Sequence, residues 1–140
     1  IDMIQDYPIT GIGLDQFLNK FRGEYIRPDA WQEPNLSHPH NIVLDFWLQL
    51  GISGVLVLIF IQYGFWKSVW QTYITNNHTM NTFHRILIIG AMGSMTNLIT
   101  HGLIDNSVYV NDLVYIFMFL VAIAANEKSF QGRLINDANK

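Results

Sequence analysis

Two histidines, His38 and His40, stand directly before a long apolar run of the chain and are the first candidates for chemistry. An ordinary imidazole titrates close to neutral pH, so it can accept or donate a proton under working conditions. At the start of a membrane-length helix, such a side chain would lie where lipid meets water. We therefore expect a general base that acts on substrates that are part lipid and part sugar.

Two other interpretations of this pair stay open. The histidines could belong to an exposed loop without a chemical role. They could instead bind a metal ion, but a zinc site needs three or four ligands, and no cysteine or third histidine lies nearby in the sequence. We therefore expect no metal site here.

His101 and Asp105 form a second candidate group. They are four residues apart, which places them on one face of a helix. An ionisable pair at membrane depth is a functional candidate by default. The carboxylate could orient a histidine, or the pair could line the same cavity as His40. The alternative is an interfacial histidine beside a solvated aspartate.

Arg22 and Arg27 lie in the polar region before the apolar run. A guanidinium recognises phosphate oxygens through two parallel hydrogen bonds, so either arginine could hold a pyrophosphate. Each could also be a solvated surface residue.

The elements that must position these residues are predicted to be membrane helices. Only 14% of the residues are charged, against roughly 25% in soluble domains. Three apolar segments, residues 42–66, 86–104 and 108–125, approach the length of about 20 residues that spans a bilayer. The third is the shortest, and only residues 113–125 would lie in the membrane. A core helix of a soluble protein is the alternative for this third segment.

The placement of basic residues orients these spans. Lys67 and Arg85 bound the 67–85 loop, and basic residues recur in the tail, 126–140, so both segments are predicted to be cytoplasmic. The 105–112 turn has no Lys or Arg and is predicted to be external, as are residues 1–41. The net charge of −3 gives no reason to expect nucleic acid as a partner.

Residues 1–41 are predicted to form an external loop on the membrane surface. Leu14, Phe17, Leu18 and Phe21 recur at the spacing of one helical face, which indicates a short amphipathic helix. The chain starts at Ile1 and shows no signal peptide, so we expect the C-terminal piece of a longer polytopic protein.

Pro39 suits the first turn of the first span, with either Ser37 or His38 as the cap. His40 would then lie within that turn, where the helix dipole favours the neutral imidazole. Gly51 and Gly54 would allow the close approach of another helix.

With these residues in view, the chain resembles the C-terminal part of the O-antigen ligase and polymerase family of bacterial membrane glycosyltransferases. Three stretches carry the resemblance: Tyr7-Pro8-Ile9-Thr10-Gly11-Ile12-Gly13-Leu14-Asp15-Gln16-Phe17; His38-Pro39-His40-Asn41 followed by Gly51 and Gly54; and His101-Gly102-Leu103-Ile104-Asp105-Asn106. The histidine stretch is the most specific of the three.

The resemblance implies an all-α, polytopic GT-C-type enzyme in the bacterial inner membrane, with its active face in the periplasm. Such enzymes move a glycan from an undecaprenyl-diphosphate carrier to an acceptor hydroxyl on a lipid or glycan, and no cofactor is expected. His40 would be the general base. His38, Asn41, Arg22, Arg27, His101 and Asp105 would contact substrate.

A fragment of a transporter or flippase is the alternative from another functional class. His40, His101 and Asp105 would then form a proton relay. Charges that cluster at one face of the membrane favour the enzyme.

Overall fold

The computed structural model of the protein describes residues 2–26, 36, 38–75, 80–105 and 111–138. Every regular element within these ranges is a helix. In chain order they are α1 (Asp2–Asp6), α2 (Phe17–Lys20), a π-helical turn (Phe21–Tyr25), α3 (Ile42–Leu50), α4 (Ile52–Thr75), α5 (Thr82–Gly102) and α6 (Asn111–Ala138). The all-α fold class is confirmed for this part of the chain.

Helices α4, α5 and α6 pack around one apolar core. A polar contact accompanies the packing, because the buried Ser68 hydroxyl on α4 donates a hydrogen bond to the Ala124 carbonyl on α6 at 2.5 Å. The buried residues of the core are Phe65, Val69, Ile88, Ala91, Met95, Leu98, Phe117, Leu120 and Ala124. These three helices form the scaffold on which the shorter elements rest.

Among the described helices, α4 is the one long and apolar enough to cross a membrane. Its 24 residues would extend for about 36 Å. Helix α5 falls short in hydropathy because residues such as Gly93, Ser94 and Asn97 interrupt its apolar positions. The apolar part of α6, Leu113–Asn126, is shorter than a span. The structure thus has one candidate span where the sequence predicts three.

The predicted continuous helix over 42–66 is divided at Gly51 into α3 and α4. Gly51 has φ 66° and ψ −153°, a conformation that glycine adopts readily and other residues avoid. A Cβ at this position would overlap the Ile9 carbonyl. The chain therefore turns here, and α4 continues to Thr75, beyond the predicted end at residue 66.

Two other segment boundaries also differ from those predicted from the sequence. Helix α6 begins at Asn111, inside the predicted 105–112 turn, and it includes most of the predicted 126–140 tail. No proline occurs between residues 112 and 138, so no residue there lacks the backbone N–H that a helix needs. The helix consequently continues past the apolar residues.

The loop after α1 docks on the C-terminal end of α3. The Trp47 indole Nε1 donates to the Pro8 carbonyl at 2.8 Å, and the Ile12 N–H donates to the Leu48 carbonyl at 2.6 Å. Gly11 permits this approach, since a Cβ there would lie 2.5 Å from the Gly51 nitrogen. The glycine-containing loop and the end of α3 therefore form one packed unit.

A short helix is present in the region of the predicted amphipathic helix, but it begins later than the apolar spacing suggests. Asp15 has φ 57°, in the left-handed region, so α2 starts only at Phe17. Phe17 is buried beneath the loop. Tyr25 donates a hydrogen bond to the Asp6 carboxylate at 2.5 Å, and this bond raises the pKa of Tyr25 to about 12. That contact ties the π-helical turn to α1.

Candidate active site at the junction of α3 and α5

The N-terminus of α3 is capped by Asn41. Its Oδ1 accepts hydrogen bonds from the backbone N–H groups of Val43 at 2.9 Å and Leu44 at 3.0 Å. Asn41 has the extended backbone that an N-cap requires, and asparagine is among the most favoured residues there. The prediction of Ser37 or His38 as the cap is therefore wrong. His40 precedes the cap instead of lying within the first turn.

Asn41 also ties α3 to the far end of α5. Its Nδ2 donates to the Leu103 carbonyl at 2.9 Å. Beneath this bond, the buried Ile42 packs against Gly102, and a Cβ on Gly102 would lie 3.3 Å from the Ile42 side chain. The start of α3 and the end of α5 are therefore in direct contact.

This contact brings His40 to Asp105, 65 residues further along the chain. The His40 Nδ1 lies 2.7 Å from the Asp105 Oδ1. A carboxylate only accepts hydrogen bonds, so Nδ1 carries the proton and the neutral ring keeps its lone pair on Nε2. An oriented imidazole with a free lone pair has the arrangement of a general base.

Both members of this pair can be reached from outside the protein. The side chains of His40 and Asp105 are 55% and 53% exposed. A substrate hydroxyl can therefore approach the His40 ring without any rearrangement of the packed core.

His38 completes the cluster. Its ring centroid lies 5.4 Å from that of His40. Each residue of the group offers one potential ligand atom, and the three atoms, from His38, His40 and Asp105, lie within 4.8 Å of one another. The third potential ligand that the local sequence lacks is thus supplied by a distant carboxylate.

The remaining predicted site residues have other positions. His101 is exposed in the last turn of α5, and its carbonyl accepts the Asp105 N–H at 2.8 Å. Asp105 lies beyond the end of that helix, and its carboxylate contacts His40. Arg22 is exposed on the π-helical turn, and Arg27 lies outside the described residues. The structure therefore brings together His38, His40, Asn41 and Asp105.

The sequence held one signal for this pairing. The charge pattern predicts that residues 1–41 and the 105–112 turn face the same side of the membrane, so His40 and Asp105 were expected at one face. This charge pattern does not indicate that Asp105 contacts His40, because His101, four residues before Asp105, has the more obvious helical spacing. The function of Asn41 as a cap and tether was not predicted.

An apolar groove opens beside the histidine pair, between the N-terminal segment and α3. It runs from Pro39 along the buried side of α3. The apolar residues of its lining include Met3, Phe17, Phe21, Leu36, Pro39 and Leu48. The groove offers apolar contacts to a lipid chain, and its lining includes Pro39, which lies between the two histidines in the sequence.

Comparison with known proteins gives one family. Residues 1–59 match the model of a family described as O-Antigen ligase. No curated protein and no solved structure gives a match. The matched segment contains the loop 7–16 between α1 and α2 (the glycine loop, with Gly11 and Gly13), the histidine pair, Asn41 and the break at Gly51. Asp105 lies outside it. The resemblance to the O-antigen ligase family is thereby confirmed over residues 1–59.

Proposed function

We propose that this chain is part of a membrane glycosyltransferase of the O-antigen ligase or polymerase type, with His40 as its general base. The enzyme would transfer a glycan from an undecaprenyl-diphosphate carrier to an acceptor hydroxyl on a lipid or a glycan. The observation that carries the proposal is the 2.7 Å contact between His40 Nδ1 and Asp105 Oδ1. His40 lies inside the segment that matches the family.

The reaction would proceed by displacement at the anomeric carbon. The His40 Nε2 takes the proton of the acceptor hydroxyl while the acceptor oxygen forms the new glycosidic bond. The bond between the sugar and the diphosphate breaks, and the diphosphate leaves with the electron pair. Asp105 stabilises the imidazolium that results. A positioned general base typically contributes 10²–10⁴-fold to a rate.

Negative charge accumulates on the departing diphosphate, where a fixed cation lowers the barrier most. Arg22 and Arg27 are the candidates, because both lie between the glycine loop and the histidine pair in the sequence. His38, Asn41 and His101 would contact the substrates from the same end of the helices. Asn41 would do so in addition to its structural bonds.

The apolar groove supports a substrate with a lipid part. Its position would let an isoprenoid or lipid chain lie along α3 while the attached head group reaches His40. Burial of apolar chain carbons contributes roughly 0.8 kcal/mol for each methylene group. The groove thus favours lipid-linked substrates over free sugars.

Placement of the bundle in the bacterial inner membrane is supported by its outer surface. Large apolar side chains point outward from all three long helices, including Phe60, Ile86 and Phe119, which are 76%, 65% and 63% exposed. Contiguous apolar surface of this kind is rare on soluble monomers. We infer that α5 and α6 cross the bilayer beside α4, with the His40 end on the periplasmic face.

The interior of the bundle does not favour a transporter. A proton relay needs ionisable residues spaced through the membrane. Among the residues whose burial is described, the buried polar ones are Asp45, Ser68 and Thr72, and only the first is ionisable. Its Oδ2 accepts a hydrogen bond from Gln49 at 2.8 Å, within the same short helix α3.

The test is His40→Ala in the full-length protein, with transfer from an undecaprenyl-diphosphate glycan measured in membranes. We expect a rate lower by 10²–10⁴-fold. His84→Ala is the matched control, because His84 lies at the opposite end of α5 from the junction, and it should transfer normally. If His40→Ala is present at the normal level and transfers at the wild-type rate, the proposed base is wrong.

A further inference from the structure

The chain places two imidazoles and one carboxylate where a single ion could contact all three. His38, His40 and Asp105 each present one ligand atom, and these atoms lie within 4.8 Å of one another. Around a tetrahedral zinc ion, with bonds of about 2.0 Å, ligand atoms are separated by roughly 3.3 Å. The observed cluster is compact enough for such an ion, because no two of its ligand atoms are more than 4.8 Å apart and the His40–Asp105 distance is 2.7 Å.

The surrounding structure holds the cluster on both sides. The histidines precede the capped end of α3, and Asp105 follows the end of α5. The Asn41 bond to the Leu103 carbonyl and the packing of Ile42 on Gly102 fix the distance between these two ends. Small rotations of the half-buried His38 side chain and of the exposed His40 and Asp105 side chains would then bring all three ligands around one ion.

We propose that His38, His40 and Asp105 form a binding site for one divalent transition-metal ion of the zinc class, which holds His40 in a state unable to act as a base. The ligand set selects the ion. Two imidazoles with one carboxylate suit zinc and its neighbours, whereas calcium and magnesium prefer an all-oxygen shell. The fourth position would be taken by water, as in open three-ligand zinc sites.

The inhibitory part of this inference rests on the proposed function. A neutral imidazole has one lone pair, which serves either as a metal ligand or as a proton acceptor. Whichever nitrogen of His40 binds the ion, the proton stays on the other nitrogen. The metal-bound and catalytic states therefore exclude each other, and zinc should act as a reversible inhibitor of transfer.

Binding is tested first, independently of activity. The purified full-length protein in detergent is stripped with a chelator and titrated with ZnCl₂ by calorimetry, and with CoCl₂ by visible absorption. We expect one ion for each chain and a cobalt spectrum of a low-coordinate site. In His38→Ala and Asp105→Asn the affinity should fall by tenfold or more. His84→Ala should bind as the wild type does.

Thermal unfolding of each variant establishes that it is folded before its affinity is compared. Absence of zinc binding by the wild type would overturn the inference. Unchanged affinity in both folded variants would also overturn it, because the ion would then lie elsewhere.

Transfer with and without ZnCl₂ tests the inhibition. We expect zinc to lower the wild-type rate, a chelator to restore it, and the rate that remains in His38→Ala to be insensitive to zinc. If zinc binds the cluster but does not change the wild-type rate, the inference that metal binding and catalysis by His40 exclude each other is wrong. If His40→Ala still transfers while its zinc affinity is lost, the proposed function fails and the metal site stands.

Discussion

At the residue scale, the proposed chemistry depends on which ring nitrogen of His40 carries the lone pair. The 2.7 Å contact to Asp105 assigns the proton to Nδ1 and leaves the lone pair on Nε2, in a side chain that is 55% exposed. Without that carboxylate the ring would be free to flip and to change tautomer. In the proposed reaction, Asp105 is thus a positioning residue that acts through His40.

Asp105→Asn tests this role. The amide keeps the size of the side chain but removes the negative charge that stabilises the imidazolium, so we expect kcat to fall by about 10²-fold. KM for the donor should change little if Asp105 acts through His40, which its carboxylate contacts, and not through a contact of its own with the donor. Asp105→Glu restores the charge and should recover part of kcat. Both constants are measured in membranes that contain equal amounts of each variant.

A merely structural role would produce a different pattern. If Asp105→Asn lowers the amount of folded protein but leaves kcat unchanged, or if Asp105→Glu is as impaired as Asp105→Asn, then the charge at Asp105 does not act through His40.

At the element scale, the short helix α3 is defined at both ends by single residues. Asn41 caps its start and tethers it to the end of α5. Gly51 ends the helix with a backbone turn, and the Ile9 carbonyl and the Gly11 amide pack closely against that turn. The position of the histidine pair relative to Asp105 therefore follows from two turns, one on each side of nine helical residues.

Gly51→Ala should disrupt this arrangement. The added Cβ would overlap the Ile9 carbonyl, and alanine is strained at φ 66°, so we expect a loss of well over about 1 kcal/mol in unfolding free energy. Gly64→Ala in α4 is the control, since no atom lies within 4 Å of its added Cβ. It should change stability by no more than about 1 kcal/mol.

The measurement is the unfolding midpoint of each purified variant in the same detergent. Equal midpoints for Gly51→Ala and Gly64→Ala would show that the loop and α3 do not pack as described. A lower midpoint for Gly51→Ala alone would agree with the backbone contact.

At the scale of the whole molecule, the α4–α6 bundle supports a polar junction at one end. Its core is apolar and its outer surface is apolar as well, with Phe60 and Phe119 among the most exposed side chains. The start of α5, which contains Arg85, lies at the opposite end of that helix from Gly102 and the His40–Asp105 pair. This polarity is consistent with a fixed orientation in a membrane.

Thiol labelling tests that orientation. The chain contains no cysteine, so an introduced thiol in this region reports on one position only. Gln5→Cys on α1 should react with a membrane-impermeant maleimide in intact spheroplasts, because residues 1–41 are predicted to be external. Thr82→Cys at the start of α5 should react only after permeabilisation. Labelling of both positions from outside would contradict the proposed orientation.

Much about this protein follows from the sequence by itself. Hydrophobic runs and their lengths predict helices, since an apolar segment must bury its surface and satisfy its backbone groups internally. The histidine pair before the first apolar run, together with the glycine loop, was sufficient to predict the family that residues 1–59 match. These features are local, so they are visible in the order of the residues.

Only the tertiary structure decided which groups meet. Asp105 lies four residues after His101 in the sequence, and its carboxylate contacts His40 across 65 residues. That pairing depends on the packing of Ile42 against Gly102 and on the second hydrogen bond of Asn41. The break at Gly51 likewise involves a distant segment, because the glycine loop packs against the Gly51 backbone through the Ile9 carbonyl and the Gly11 nitrogen. Contacts between distant segments are set by how helices pack, and a periodic pattern records only which face is apolar.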